Sequence, residues 1–304
     1  TAWGLYRQPS NTSLPEEPVP VPQSVQTVEP VPEPEPAIYS VSATADTVQL
    51  GDTVDSSYAV LIDEDSGTIL AEKDASARIS PASMTKVLTL LVGAEHVADH
   101  LDDTFTMTID ITDYCYVNKC SVVGLMVGET VPVRELLYGT ILPSGADAAL
   151  GLAVYVSGSQ EAFVELMNQK LEELGISGTA HFTNCVGLYD ENHYCTVTDM
   201  ALILRAAMEN DLCREVLNAR KYETVPTEYH PDGQILSNWF LRRIEDRFPG
   251  DFQIIGAKTG YVVQAGSCAV SCGQGADGRR YFCATGDASS AWRAIYDHTA
   301  LYQT

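Results

Sequence analysis

Runs of apolar residues predict strands near both ends of the chain and helices between them. Residues 58–63 are almost wholly apolar, end in a glycine-containing turn at 64–67, and precede a second run at 68–72. This pattern predicts a β-hairpin. Three more strands are predicted in the last third of the chain: 253–258, 266–272 and 280–285. We therefore expect one sheet built from both ends of the chain.

The middle of the chain has the residue spacing of helices. Residues 84–97 contain a single breaker, Gly93, and predict a buried helix. Five more helices are predicted: 132–140, 145–156, 159–174, 197–209 and 292–301. The order of elements predicts an α/β (α+β) fold. Its central sheet should be mainly antiparallel, made by the N- and C-terminal segments and flanked by helices, with an inserted, mostly helical subdomain.

Residues 1–50 differ in composition from the rest. Nine of the 15 prolines lie before residue 37, interleaved with glutamates, and proline favours extended polyproline II structure. We expect a Pro/Glu-rich extended linker at 1–50 and a folded domain at 51–304. A ligand for a polyproline-binding domain is the alternative for the linker. Because Thr1 is not an initiator methionine, we expect that an upstream signal peptide or anchoring helix has been removed.

Charge and hydrophobicity narrow the classes of function. The chain has 18 Lys and Arg against 41 Asp and Glu, a formal net charge of −23. That balance opposes binding to nucleic acid or to an anionic membrane surface. No stretch approaches the roughly 20 apolar residues of a membrane helix, so contact with a membrane is expected only through an upstream anchor.

A Ser-x-x-Lys motif occurs once, at Ser83 and Lys86, where the predicted buried helix begins. A spacing of three places both side chains on one helix face. A lysine whose pKa is lowered by burial could then take the proton of the serine hydroxyl, which becomes a nucleophile. The alternative is a helix-capping serine beside a solvated lysine.

Two further segments carry side chains suited to this chemistry. Lys258-Thr259-Gly260 ends a predicted strand, where an ammonium and a hydroxyl could bind a carboxylate and glycine permits close backbone approach. Ser144 lies in Leu142-Pro-Ser-Gly-Ala-Asp147, at a junction between loop and helix. The alternative for Lys258 is an exposed lysine at a strand end. The alternative for the segment 142–147 is simple helix capping.

Taken together, these blocks resemble the penicillin-binding D-alanyl-D-alanine carboxypeptidases of the low-molecular-weight serine type, which have the DD-peptidase/serine β-lactamase fold. The resemblance covers about residues 50–290. It rests on four blocks in the order of that family: 81–86, 142–148, 181–201 with His181-Phe-Thr-Asn184, and 256–266. Residues 51–304 are accordingly expected to be a serine DD-peptidase catalytic domain.

The resemblance implies a role for each matching residue. Ser83 is the implied acylated nucleophile, Lys86 its base, and Ser144 a relay that passes a proton to the leaving amine. The implied substrate-binding residues are Lys258, Thr259, Gly260 and Tyr261. Lys258 and Thr259 would hold the substrate carboxylate, and the backbone amides of Ser83 and Tyr261 would form an oxyanion hole.

The family's activity sets further expectations. Its members remove the terminal D-alanine from peptidoglycan stem peptides through an acyl-enzyme, and β-lactam antibiotics trap that intermediate. The resemblance thus implies an extracytoplasmic enzyme, secreted or anchored to the outer face of the cell membrane. It implies neither a metal nor an organic cofactor, and no nucleic-acid partner.

One position departs from the family's pattern. The middle motif normally ends in asparagine, but residue 146 is alanine, which loses a hydrogen bond worth about 1–3 kcal/mol unless another group replaces it. On this basis Ala146→Asn is expected to speed acylation. Two alternatives stay open: a β-lactamase-like hydrolase, and a weakly active or non-catalytic wall-binding homologue.

The remaining candidates are a histidine and the cysteines. His193 lies in a loop, where it could orient substrate but is more often simply exposed. Eight cysteines lack zinc-site spacing and favour disulfides in an oxidising compartment, the alternative being reduced cysteines that pack as small hydrophobes. The best candidate pairs are Cys115 with Cys120, Cys185 with Cys195, and Cys268 with Cys283, which leaves Cys213 with Cys272.

Overall fold

A computed structural model describes residues 39–248 and 250–304. The described strands are β1 (Ser42–Gln49), β2 (Tyr58–Asp63), β3 (Thr68–Lys73), β4 (Thr104–Thr106), β5 (Thr130–Pro132), β6 (Lys221–Glu223), β7 (Ile235–Ser237), β8 (Gln253–Val262), β9 (Gly266–Gln274) and β10 (Arg280–Ala288). The described helices are α1 (Thr85–Val97), α2 (Ile109–Val117), α3 (Val133–Ile141), α4 (Ala146–Ser157), α5 (Gln160–Glu173), α6 (Val197–Glu209), α7 (Asp211–Asn218), α8 (Trp239–Ile244) and α9 (Ala291–Tyr302).

Six strands form the central sheet in the order β1-β3-β2-β10-β9-β8. Only the β1–β3 pair is parallel in this sheet, and its other neighbouring strands are antiparallel. The N-terminal hairpin thus pairs with the C-terminal strands, with the helical region inserted between them. This arrangement confirms the predicted α/β (α+β) fold class.

Strand β1 corrects the predicted linker boundary. It begins at Ser42, inside the segment 1–50 expected to be linker, and pairs with β3 at the sheet edge. Its residues alternate Thr, Asp and Gln with small apolar residues and are mostly exposed, so the sequence lacks the continuous apolar run that marked the inner strands. The proline-rich part of the predicted linker lies outside the described residues.

Helices cover both faces of the sheet because its central strands are apolar on both sides. In β10, Phe282 and Ala284 face the main core beneath α6, while Cys283 faces a smaller cluster that includes Leu301 of α9. Helix α8 packs with α9 on that second face. The edge strand β8 is therefore supported from behind by helices and remains accessible along one side.

Each helix and strand predicted from the sequence is confirmed, and the ends differ by a few residues. The sequence did not indicate α2, α7 or α8, of which α8 spans six residues and α7 eight. Elements this short carry too few turns to show a period. Within the described residues, no helix has both the length and the hydrophobicity needed to span a membrane.

The predicted disulfides are wrong, since all eight cysteines are free thiols and seven are buried. Strand register explains one case: Cys283 lies opposite Ser271, whereas Cys268 lies opposite Gly260. The cysteines match the alternative expectation, in which reduced cysteines pack as small hydrophobic residues. The argument from disulfides to an oxidising compartment loses its basis. None of these predicted pairs forms: Cys115 with Cys120, Cys185 with Cys195, Cys268 with Cys283, Cys213 with Cys272.

Candidate active site

Ser83 lies on a short 3-10 turn, Ala82–Met84, that leads directly into α1. Two glycines let neighbouring segments approach this turn. A Cβ added to Gly260 of β8 would lie 2.8 Å from Ser83 N, and one added to Gly187 would lie 2.0 Å from Ala82 O. Neither position has room for a side chain, so β8 and the 187 loop both reach the turn as bare backbone.

Lys86 makes the contacts expected of a buried base. Its Nζ donates to Ser83 Oγ at 2.9 Å, to Ser144 Oγ at 3.2 Å and to Val186 O at 2.9 Å. The residue is only 2% exposed, and burial lowers its pKa to about 8. An ammonium has three donors, so all of its hydrogen bonds are made within the protein.

Ser144 links the two lysines. It lies between α3 and α4 in the left-handed region at φ 58°, which costs a non-glycine residue about 1–2 kcal/mol. Its Oγ accepts from Lys86 and also from Lys258 Nζ at 3.0 Å. The pKa of Lys258 is well below its usual value, first because the side chain is buried and second because Lys86 is positively charged.

The loop in the third block of the sequence, 181–201, presents the third acceptor to Lys86. Asn184 Oδ1 accepts from the backbone amides of residues 186, 187 and 188 at 3.2, 2.7 and 3.1 Å. This turn directs Val186 O at Lys86 Nζ. Asn184 was part of the His181-Phe-Thr-Asn184 block, but nothing in the sequence alone indicated that it shapes a turn.

The two residues after Gly145 have structural contacts rather than contacts with the lysines. Ala146 is fully buried, and its backbone N donates to Ser121 O at 2.8 Å. The Asp147 carboxylate accepts from the backbone amides of Val123, Gly124 and Leu125 at 2.8–3.1 Å. These contacts hold the loop around Ser121 against the start of α4.

The reacting groups open into a cavity of about 260 Å³ beside β8. Its lining includes Ser83, Ser144 and the predicted substrate-binding residues Thr259, Gly260 and Tyr261. Trp239 and Arg243 of α8 also line it, and no motif in the sequence identified either of them. Their aromatic and guanidinium groups suit an extended substrate that carries a carboxylate.

The environment of His193 matches neither of the expectations from the sequence, which were a loop residue that orients substrate and one that is simply exposed. It is 1% exposed, and Phe182 stacks on its ring at 4.7 Å. Thr183 N donates to Nδ1 at 2.9 Å, so Nε2 carries the hydrogen in the neutral ring and donates to Thr85 Oγ1 at 2.8 Å. Burial lowers its pKa to about 4. This residue supports the first turn of α1 from behind.

The chain is similar to known proteins over most of the residues that the structure describes. Residues 42–282 match the family model described as D-alanyl-D-alanine carboxypeptidase. The chain is 32% identical to DacF of Bacillus subtilis over 69% of its own length and 52% of the relative's. It is also 32% identical to a D-alanyl-D-alanine carboxypeptidase of Streptomyces sp. (strain K15), over 77% of this chain and 81% of that one.

Solved structures show the same likeness. The crystal structure of the Streptomyces K15 DD-transpeptidase superimposes with a TM-score of 0.75 at 27% identity, covering 82% of this chain and 96% of that one. A D-alanyl-D-alanine carboxypeptidase from Mycobacterium tuberculosis H37Rv gives 0.70 at 28% identity, covering 82% and 90%. The chain matches only about half the length of the Bacillus subtilis and Escherichia coli relatives.

Proposed function

Because the chain belongs to the D-alanyl-D-alanine carboxypeptidase family of serine peptidases, we propose that it removes the terminal D-alanine from peptidoglycan stem peptides. One observation carries the proposal: a buried lysine amine lies 2.9 Å from Ser83 Oγ and 3.2 Å from Ser144 Oγ. This arrangement can take a proton from one hydroxyl and return it through the other.

The proposed reaction has two stages. Neutral Lys86 takes the Ser83 proton as Oγ attacks the carbonyl carbon between the two D-alanines, and the backbone amides of Ser83 and Tyr261 stabilise the oxyanion. Ser144 passes the proton to the leaving amine, which departs as D-alanine. Water then attacks the acyl-enzyme, releasing the shortened peptide and restoring the Ser83 hydroxyl.

Substrate binding is proposed for the opposite wall of the cavity. Lys258 and Thr259 would meet the terminal carboxylate, while Gly260 and Tyr261 on the accessible edge of β8 would meet the peptide backbone. A carboxylate beside Lys258 favours its charged form and offsets the cost of its burial. β-Lactams would acylate the same serine. The place of action would be extracytoplasmic, with the protein secreted or anchored to the outer face of the membrane.

The test uses penicillin and diacetyl-L-Lys-D-Ala-D-Ala as probes. We expect intact mass to show one penicillin adduct on the wild type and on Ser80→Ala, and none on Ser83→Ala. The peptide should release D-alanine, and added glycine shows whether an amine competes with water for the acyl group. A folded protein that forms no adduct and releases no D-alanine would contradict the proposal.

A further inference from the structure

A row of exposed and half-buried side chains leads away from the cavity across α8, the turn that follows it, and α9. The Arg243 guanidinium carbon lies 5.5 Å from the ring centre of Trp239 and 5.1 Å from that of Trp292. The Arg247 guanidinium carbon lies 5.7 Å from Trp292 and 5.8 Å from Tyr296. We call these five residues the aromatic ladder: Trp239, Arg243, Trp292, Arg247 and Tyr296.

The three rings of the ladder are unusually accessible for their size. Trp239 is 57% exposed, Trp292 42% and Tyr296 47%. Trp292 and Tyr296 lie one turn apart on α9 with their planes inclined by 28°, while Ala294 and Ile295 on the same helix are buried. Large exposed aromatic side chains grouped with arginine are typical of binding surfaces.

The two arginines of the ladder are positive charges on an acidic chain. The chain has a net charge of −23, and arginines such as Arg279 and Arg280 pair with carboxylates. In the part of the chain that the structure describes, neither Arg243 nor Arg247 forms an ion pair. Their guanidinium groups lie against ring faces and keep donors free for an anionic partner.

We propose that the aromatic ladder binds the glycan strand of peptidoglycan while the attached stem peptide occupies the catalytic cavity. This inference rests on the proposed function. Trp239 and Arg243 line the cavity itself, so a polymer joined to a bound peptide would continue along Trp292 and Tyr296. Flat aromatic faces suit the C–H faces of sugar rings, and the arginines suit the carboxylates of neighbouring stems. The alternative occupant is an anionic membrane surface.

The experiment measures cosedimentation of the full chain with purified peptidoglycan sacculi. Ser83→Ala serves as the parent, so that no acyl-enzyme contributes to binding. Adding Trp292→Ala with Tyr296→Ala should weaken sedimentation about tenfold, whereas Tyr116→Ala, a matched exposed aromatic elsewhere, should not change it. Adding Arg247→Glu should weaken binding most at low salt.

Activity separates this inference from the proposed function. With Ser83 intact, the Trp292→Ala/Tyr296→Ala protein should release D-alanine from the soluble tripeptide at the unmodified rate and lose activity on sacculi. Equal sedimentation of parent and ladder variant, or no sedimentation of the parent, would overturn the proposal that the ladder binds the glycan strand. Neither result would bear on the cleavage of the tripeptide. Loss of binding to phosphatidylglycerol vesicles with unchanged binding to sacculi would identify a membrane surface instead and also overturn it.

Discussion

At the scale of single residues, Lys86 and Lys258 both donate to one hydroxyl, Ser144 Oγ, at 3.2 and 3.0 Å. Both side chains are buried, and burial lowers both pKa values. Two like charges that share an acceptor titrate as a coupled pair. Burial and mutual repulsion therefore favour a neutral amine in this pair, and Lys86, whose Nζ lies 2.9 Å from Ser83 Oγ, is the one placed to act as the base.

The coupled lysines predict how acylation depends on pH. The pKa of Lys86 is lowered to about 8, and only the neutral amine can accept a proton. The rate of penicillin acylation should therefore rise about tenfold per pH unit below pH 8 and level off above it. Stopped-flow measurement of the acylation rate from pH 5.5 to 9.5 checks this. Lys86→Arg stays charged and should acylate at least about 100-fold more slowly; a flat wild-type profile would contradict the role of Lys86.

Ala146→Asn gives a second test at this scale. The sequence alone predicts faster acylation, because the family's asparagine is missing. In the structure, Val186 O takes the third hydrogen of Lys86, and Ala146 has no exposed surface into which a longer side chain could extend. We now expect the acylation rate to rise by less than about twofold and stability to fall by about 1–3 kcal/mol through overpacking. A tenfold faster acylation without loss of stability would show that the missing amide limits the enzyme.

At the scale of elements, the active site forms where three segments of the chain pack together at one turn. The turn before α1 carries Ser83, β8 passes it at Gly260, and the 187 loop passes it at Gly187. Asn184 holds that loop by accepting three backbone hydrogen bonds. The site geometry therefore depends on backbone approach as much as on the reacting side chains.

Gly187→Ala should disturb the packing of the 187 loop against the turn that carries Ser83. Gly187 has φ 92°, and an added Cβ would lie 2.0 Å from Ala82 O. Gly278 is the matched control, since it has φ 80° and open space around it. We expect Gly278→Ala to cost about 1–2 kcal/mol from backbone strain alone, and Gly187→Ala to cost roughly 3 kcal/mol or more.

Urea unfolding and penicillin acylation measure the two effects. Acylation should fall about 100-fold in Gly187→Ala, because the turn that holds Ser83 must shift, and stay unchanged in Gly278→Ala. Equal stability losses in the two variants would mean that the close approach of the 187 loop to Ala82 is not required.

At the scale of the whole molecule, two buried histidines lie on opposite faces of the central sheet. His193 supports α1 through Thr85, and His298 of α9 bonds Ser271 Oγ at 2.7 Å and Thr285 Oγ1 at 3.0 Å. Burial lowers their pKa values to about 4 and about 3. Each joins a helix to the sheet or to a loop in its neutral form.

These histidines predict a loss of stability in mild acid. An unfolded histidine binds a proton below about pH 6.5, whereas the folded ones stay neutral until about pH 4 or 3. The stability is thus fully present above pH 6.5 and falls as the pH drops below it. Between pH 7.5 and 5.5 each should remove about 1.4 kcal/mol from the free energy of unfolding.

Urea titrations at the two pH values measure this loss. His193→Gln should remove about half of the difference. Equal pH dependence in wild type and His193→Gln would show that His193 does not stay neutral in the folded state.

The sequence by itself determined the fold class, the inner strands, the long helices and the four blocks around Ser83, Ser144, Asn184 and Lys258. The fold class, strands and helices depend on local pattern, namely apolar periodicity and turn residues. The four blocks were recognised together by their resemblance to the carboxypeptidase family. Strand β1 lacks a continuous apolar run and α8 has only six residues, so the predicted linker was too long and Arg243 was missed.

Tertiary structure decided the rest, because those features depend on which distant segments meet. It showed eight free thiols where spacing had suggested disulfides; for Cys268 and Cys283, strand register places each opposite a different residue. It buried His193, and it brought Val186 O to the position that satisfies Lys86. It also aligned Trp239, Trp292 and Tyr296 from two helices into one surface. No local pattern encodes a contact between residues 50 or 100 positions apart; packing of the sheet and its helices decides it.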